Sequence, residues 1–419
     1  MKVGPIIIAL WLLGSAGIVS YAFRRALLRL WSEPVLSRPV LIIESDDWGA
    51  GPLSQAKSLD AVAEILTKHR SRSGRRPVMT LGIVLAVADT VRIRQSQLRE
   101  YYRVTLAEPQ FSEVLASIRR GAEAGVFRPQ LHCMEHYWPE TLLSVARRDA
   151  DVRSWLTKTG RPLTEELPSH LQSRWVDASA LPSTMLAEAE VACAVAQEVA
   201  MFTEIFQLPP TVVVPPTFVW SPAVEAAWVA HGIRIIVTPG RRYVGRDADG
   251  SLVPESQDCY NGETGASGAM YIVRNAYFEP ALGHRAEDAL DALQRRTRAG
   301  RPTLLETHRF NFIDETSHAR KSRAELGRLL VMVLDTFPEV VFMSTEELVA
   351  AIRDRDPLLI ETRTGARFRA WLNRLAELPR FKKIAWSTGL IAPWWLLYWI
   401  AGRSRHAARR ANLGERMGR

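Results

Sequence analysis

The sequence predicts an α/β fold, a distorted (β/α) barrel of seven to eight parallel strands, with an apolar membrane segment at each end of the chain. Three observations predict it. Short runs rich in Val, Ile and Leu alternate with stretches that carry apolar residues at helical spacing, which is the pattern of strand–helix units. The runs are apolar at successive positions, so they read as strands covered on both faces, as in parallel sheets. Polar, titratable residues follow several of these runs directly, and that end of the strands is where barrels carry their chemistry. At 419 residues and 47% hydrophobic content the chain can bury such a core.

The first buried strand is Pro39 to Ile43, and it runs into Ser45-Asp46-Asp47-Trp48-Gly49. A helix over Ala56 to His69 and a basic loop, Arg70 to Arg76, lead to the strand Val78 to Ala86. Helical patterning over Phe111 to Ala124 closes at Gly125, and a short third strand, Pro129 to His132, opens onto His132-Cys-Met-Glu-His136-Tyr-Trp138. Residues 148–182 are polar and proline-punctuated, an expected insertion or lid. A long helix, Ser183 to Phe206, precedes the strand Thr211 to Val214 with Pro215-Pro216, then the helix Ala223 to His231 and the strand Ile233 to Val237. Residues 239–268, rich in Gly, Asp and Arg, are a second expected surface excursion over the site. The strand Met270 to Arg274, the helix Ala286 to Ala299, the strand Pro302 to His308, the helix Ser322 to Phe337, the strand Val340 to Met343 and a final helix to about Ile352 complete a domain expected over 38–355.

Outside that domain the chain reads as membrane-associated. Residues 4–23 contain no charge and match the ~20 residues needed to cross a bilayer, an expected uncleaved anchor. Residues 384–402 are also uncharged and hold Trp386, Trp394, Trp395, Tyr398 and Trp399, so this segment is expected to span or to lie in the interface. The net charge of +9 sits mostly in the flanks, around Arg24-Arg25 and in a basic tail over 403–419, which suits anionic lipid headgroups and makes a nucleic-acid partner uneconomical. The expected location is a membrane, of the bacterial inner type. Cys133, Cys193 and Cys259 are widely spaced, which argues against a disulfide framework or a thiolate zinc site.

Three strand ends thus present Asp46-Asp47, His132 with His136, and His308. Adjacent carboxylates repel, so a pair at a buried strand end stays ionised only beside a cation. Two histidines spaced by three residues share one side of a helical turn, and with a carboxylate they make three ligands and leave a fourth position open for water, the pattern of catalytic zinc.

Asp46-Asp47-Trp48-Gly49 resembles the first motif of the polysaccharide deacetylases, His132-Cys-Met-Glu-His136 their second, and Thr307-His308 their last, in the same chain order over about Pro39 to Ile352. The resemblance implies a barrel that removes an N-acetyl or other acyl group from an amino sugar with a divalent metal, Zn2+ by expectation. It implies Asp46 as general base, Asp47, His132 and His136 as metal ligands, and His308 as general acid. Three positions depart from the pattern. Cys133 stands where the family has Ser or Thr, Trp48 is inserted before the glycine, and Val213-Val214-Pro215-Pro216-Thr217 keeps the proline of the third motif but lacks its arginine. Arg274 is the candidate to supply that charge from a later strand.

The expected partners are a glycan or glycolipid substrate and a membrane. Trp48, Trp138, Pro216, Trp220 and Arg274 are the expected substrate-binding residues, with Tyr137 beside them as a further aromatic. Other readings are a glycosidase that pairs Asp47 with Glu135 or Glu279, which leaves the histidines without purpose, a metal-dependent phosphoesterase, for which no phosphate cradle is evident, and a catalytically inactive glycan-binding relative.

Overall fold

The computed structural model describes residues 3–314, 316–378 and 380–399. The described residues divide into two units, one of residues 40–293 and 303–350, the other of residues 3–39, 294–302 and 351–399.

The larger unit is built on one all-parallel sheet. We label its strands β1 (Val40–Gly49), β2 (Met79–Val84), β3 (Phe127–Cys133), β4 (Val212–Val213), β5 (Ile235–Thr238), β6 (Met270–Val273), β7 (Ala276–Tyr277), β8 (Thr303–His308) and β9 (Val341–Phe342). The pairing order is β6-β5-β4-β3-β2-β1-β8-β7, with β9 against the start of β1 at Val40 and Leu41. Arg274 and Asn275 join β6 to β7. The amide of Arg274 donates to the carbonyl of Thr238 at 2.8 Å, and that of Asn275 to Leu304 at 3.3 Å. One stretch of chain therefore changes partner from β5 to β8, and the two ends of the sheet meet in a distorted barrel. Counting β6 and β7 as that one stretch gives seven strands on the ring and β9 as an eighth.

Leu41, Ile43, Leu81, Ile83, Leu131, Val213, Ile236 and Leu305 fill the core, all essentially inaccessible. The helices Gln55–Thr67, Ser112–Glu123, Glu188–Phe206, Pro222–Ala230 and Ser317–Thr336 bury one face each. At roughly 25 cal/mol per Å² of apolar area removed from water, this burial is the main term holding the barrel together.

Both insertions carry structure of their own. Residues 148–182 contribute Trp155, Leu156, Leu167 and Leu171 to a small apolar cluster with Ile93 and Leu142. Residues 239–268 form an antiparallel hairpin, Arg241–Arg246 against Leu252–Asp258.

In the smaller unit the helices are α1 (Val3–Ala22), α2 (Arg24–Ser32), α3 (Thr364–Leu375) and α4 (Phe381–Ser387), followed by a helical stretch over residues 391–399. Arg374 of α3 is fully buried and donates to the carbonyls of Leu30, Glu33, Pro34, Ala299 and Gly300 at 2.7–3.2 Å, which seats α3 on the end of α2. Among the described residues α1 is the one helix long and apolar enough to cross a membrane. The expected second segment over 384–402 is not one helix. It breaks at residues 388–390, where Gly389 takes φ +77°, a left-handed conformation that ends a helix. Residues 400–402 and the basic tail lie outside the described residues.

Candidate active site at the C-terminal ends of the strands

Asp46 and Asp47 leave β1 where it bulges against β2. The pairing register shifts between Ser45 and Trp48, and Asp47 adopts φ +72°. A non-glycine residue there costs about 1–3 kcal/mol and persists only where its surroundings fix it. Here Arg309 donates to the Asp47 carbonyl at 2.5 Å. The bulge turns the two neighbouring carboxylates to separate neighbours.

Asp47 meets the two histidines. His132 Nε2 lies 3.5 Å and His136 Nε2 3.6 Å from Asp47 Oδ1. All three residues are buried, and the candidate ligand atoms lie within 4.8 Å of one another. Asp47 Oδ1 and His132 Nε2 are buried polar atoms with no hydrogen-bond partner, which is costly in an apolar interior unless a further group joins them. His132 Nδ1 donates to the Val214 carbonyl at 2.6 Å, which leaves the Nε2 lone pair aimed at the gap. Burial pushes His136 down to about 4 against the pull of Asp47, so its imidazole is neutral at pH 7, as a ligand must be. The donor set and its orphaned atoms fit a divalent metal. The shared side of a helical turn expected for His132 and His136 is not what brings them together. β3 continues through Cys133 and the bend after it returns His136, with the ring centroids 4.9 Å apart.

Asp46 meets Arg274. The guanidinium donates to both carboxylate oxygens, at 2.5 and 2.9 Å, and its Nε donates to Glu44 at 2.7 Å. Burial would raise the Asp46 pKa, but the charge of Arg274, with that of His308, holds it below the ordinary carboxylate range. Glu44 is held in turn by Thr345. Gly82 on β2 leaves the room: a Cβ there would sit 2.4 Å from Asp46 Oδ1. The arginine missing from the third motif thus has its counterpart at the end of β6.

His308 leaves β8 directly opposite Asp46. Its Nδ1 bonds Glu279 at 2.6 Å, and Asn311 bonds the other oxygen of Glu279. Burial would lower the His308 pKa, yet Glu279, Asp47 and Asp46 raise it to about 10, so the ring is an imidazolium at neutral pH.

These groups line a cleft of about 280 Å³ with Glu165, Gln172, Pro215, Thr217, Phe218, Glu306 and Phe310. Of this lining, Glu165 and Gln172 come from the first insertion. Among the described residues none from the hairpin insertion lines it, contrary to expectation.

The expected substrate-binding residues fare differently. Trp48 and Trp220 are fully buried in the main apolar core, their indole N–H groups donating to Ser45 and Glu225. Tyr137 is buried as well, bonded to Ala88 and Tyr101. Pro216 is buried, and its neighbour Pro215 lines the cleft instead. Trp138 is half-buried, packs against the core and is absent from the cleft lining. Arg274 stands behind Asp46, 3% exposed, and is a positioning group. The aromatic faces at the cleft are Phe218 and Phe310, the latter stacked on His308 at 5.9 Å between centroids. Glu306, whose pKa burial raises, was not anticipated, although two residues before His308 on one strand it shares that residue's face. Glu135 is fully buried between Arg103 and Arg174, at 2.7 and 2.9 Å, which removes it from any glycosidase pair. Cys133 is buried and burial pushes its thiol pKa up, so it is inert.

The sequence matches no protein-family model. No curated protein matches it either. Solved structures with a similar strand and helix arrangement include a family 4 carbohydrate esterase from Streptomyces lividans, 9% identical, covering 72% of this chain and 90% of its own at a TM-score of 0.32. A family 4 acetyl xylan esterase from Clostridium thermocellum, in complex with cobalt, is 11% identical over 76% and 93% at 0.35. A family 4 pseudoenzyme from Bacillus anthracis is 10% identical over 75% and 66% at 0.35. At these identities and scores the likeness carries no argument about what this chain does, and the functional reading rests on its side chains.

Proposed function

We propose that this chain is a membrane-anchored, metal-dependent hydrolase that removes an acetyl or other acyl group from an amino sugar in a glycan or glycolipid. One observation carries the reading: three buried ligands, Asp47, His132 and His136, converge, with Asp47 Oδ1 and His132 Nε2 lacking a hydrogen-bond partner, between an arginine-held carboxylate, Asp46, and a carboxylate-held imidazole, His308. Asp47, His132 and His136 would hold the ion, and two imidazoles with one carboxylate suit zinc. Such an ion supplies an activated water and a polarised acyl carbonyl. Asp46, kept ionised by Arg274, takes the proton of the attacking water. His308 delivers a proton to the departing amine, which cannot leave as an anion. Phe218 and Phe310 offer apolar faces for the sugar or the acyl methyl, beside the polar side chains of Glu165 and Gln172.

The test is product analysis. The full-length protein, loaded with zinc, is expected to release acetate from N-acetylated amino-sugar oligomers without new reducing ends. New reducing ends without acetate would favour the glycosidase, and neither product from any acetylated glycan would favour the inactive relative. The Arg274–Asp46 pair favours the enzyme, because the base retains its orienting charge.

Glu279 sets the alkaline limit. His308 must carry a proton to act, and the Glu279 carboxylate helps to hold that proton. Glu279→Gln removes this charge, so the His308 pKa falls and the alkaline limb of the kcat/KM profile moves to lower pH. A limb that stays in place would show that His308 is not the titrating acid.

A further inference from the structure

The described part of the C-terminal apolar segment, broken at Gly389, makes a hairpin against α1. Phe381, at the start of α4, packs edge-on against Phe23, the residue after the end of α1, with ring centroids 6.3 Å apart. One α4 length further on, the Thr388 carbonyl accepts the indole N–H of Trp11 at 3.0 Å, and Gly389 comes within 3.5 Å of where Leu12 sits, counted from the site of its missing Cβ. Trp11 and Leu12 lie midway along the 20 residues of α1. The chain turns there, through the left-handed Gly389, and residues 391–399 run back until Tyr398 meets Arg369 of α3, its guanidinium 5.5 Å from the ring centroid.

We propose that residues 381–399 are a re-entrant membrane wedge, which enters the bilayer beside α1 to about its middle and returns to the side it came from. The proposal rests on α1 being a membrane span. Its occupant is lipid hydrocarbon, and three features argue for that. Each leg is about ten residues, too short to cross the ~30 Å core at 1.5 Å per residue and long enough to reach its middle. Non-helical backbone at that depth is tolerated only where protein satisfies it. The turn meets this condition: Thr388 N and Oγ1 bond Ile384, Gly389 N bonds Trp386, Ala392 N bonds Gly389, and Trp11 supplies the donor for the Thr388 carbonyl. The same bond gives Trp11, an indole N–H in the middle of an apolar helix, the partner that hydrocarbon cannot offer. Finally, the outward faces are apolar, with Trp386 78% and Trp395 58% exposed, whereas the polar mouth of the hairpin carries Arg380, Lys382 and Lys383 opposite Arg24 and Arg25, as headgroups require.

Full-length protein in sealed vesicles of anionic phospholipid tests this, with single cysteines at Leu358, Trp386 or Trp395 in a background where the native cysteines are serine, and an epitope appended after Arg419. The wedge requires that the epitope and Leu358→Cys react with impermeant reagents from the same side. It also requires that Trp386→Cys and Trp395→Cys stay unlabelled from both sides until detergent is added. An epitope on the side opposite Leu358→Cys would overturn the wedge in favour of a full crossing, and labelling of Trp386→Cys at the rate of Leu358→Cys would place the hairpin in water. Release of the protein by alkaline carbonate would instead remove the α1 span itself, a failure distinct from either.

Discussion

Asp46→Asn and His308→Ala are each expected to lower kcat by about 10²–10⁴-fold, the usual contribution of a positioned base or acid, while the bound metal stays at the level of the unmodified protein. The two residues stand on adjacent strands in register, Asp46 opposite His308, so each faces the gap formed by Asp47, His132 and His136 without lying among the three ligand atoms. Asparagine keeps the shape and one of the two oxygens that accept from Arg274, but cannot take a proton. Alanine at 308 leaves Glu279 bonded to Asn311, so the surroundings remain paired. Turnover and metal content measured on the same preparations separate the roles. Loss of metal in either variant contradicts them. Glu306→Gln serves as the comparison, because Glu306 also lines the cleft with a raised pKa. If it, rather than Asp46→Asn, abolishes turnover, the base has been assigned to the wrong carboxylate.

Arg274→Met is expected to cost about 3–5 kcal/mol of stability, because it strands two buried carboxylates, Asp46 and Glu44, that share one guanidinium. Arg274→Lys is expected to recover little. A lysine ammonium is a point charge and cannot present a bidentate fork to Asp46 while a third nitrogen holds Glu44. Chemical denaturation reports the loss. The variant that does fold should need a higher pH for activity, since Asp46 without its arginine binds its proton more tightly. Arg274→Met protein as stable as the original would mean that the network is not what fixes Asp46.

The parts of this site that were legible in the sequence are local. A hydrophobic run ending in Asp46-Asp47, a His132–His136 pair and a strand ending in His308 each declare themselves within a few residues, and one parallel sheet puts such ends on one face. The partners that tune them arise from closure of the barrel. Arg274 reaches Asp46 across 228 positions of sequence, and Glu279 reaches His308 across 29. Residue type and spacing show that such residues stand at strand ends, not which neighbour they meet; in the sequence Arg274 is a candidate only because the third motif lacks its arginine, and Glu279 has no assigned partner. Aromatic side chains misled for a related reason. Trp48 and Trp220 carry the same composition whether they face the cleft or pack beneath it, and burial decided for the core, leaving Phe218 and Phe310 at the opening. At the C-terminal end, a count of uncharged residues cannot register that Gly389 takes a left-handed conformation and breaks the run in two.

The most direct measurement is the metal content of the purified full-length protein after loading with zinc, beside a His132→Ala/His136→Ala variant. About one ion per chain, lost in the variant, is the expected result, since Asp47 alone retains a single ligand. An unmodified protein that binds no ion at any loading, or a variant that binds as much, would contradict the three-residue centre and with it the hydrolytic mechanism.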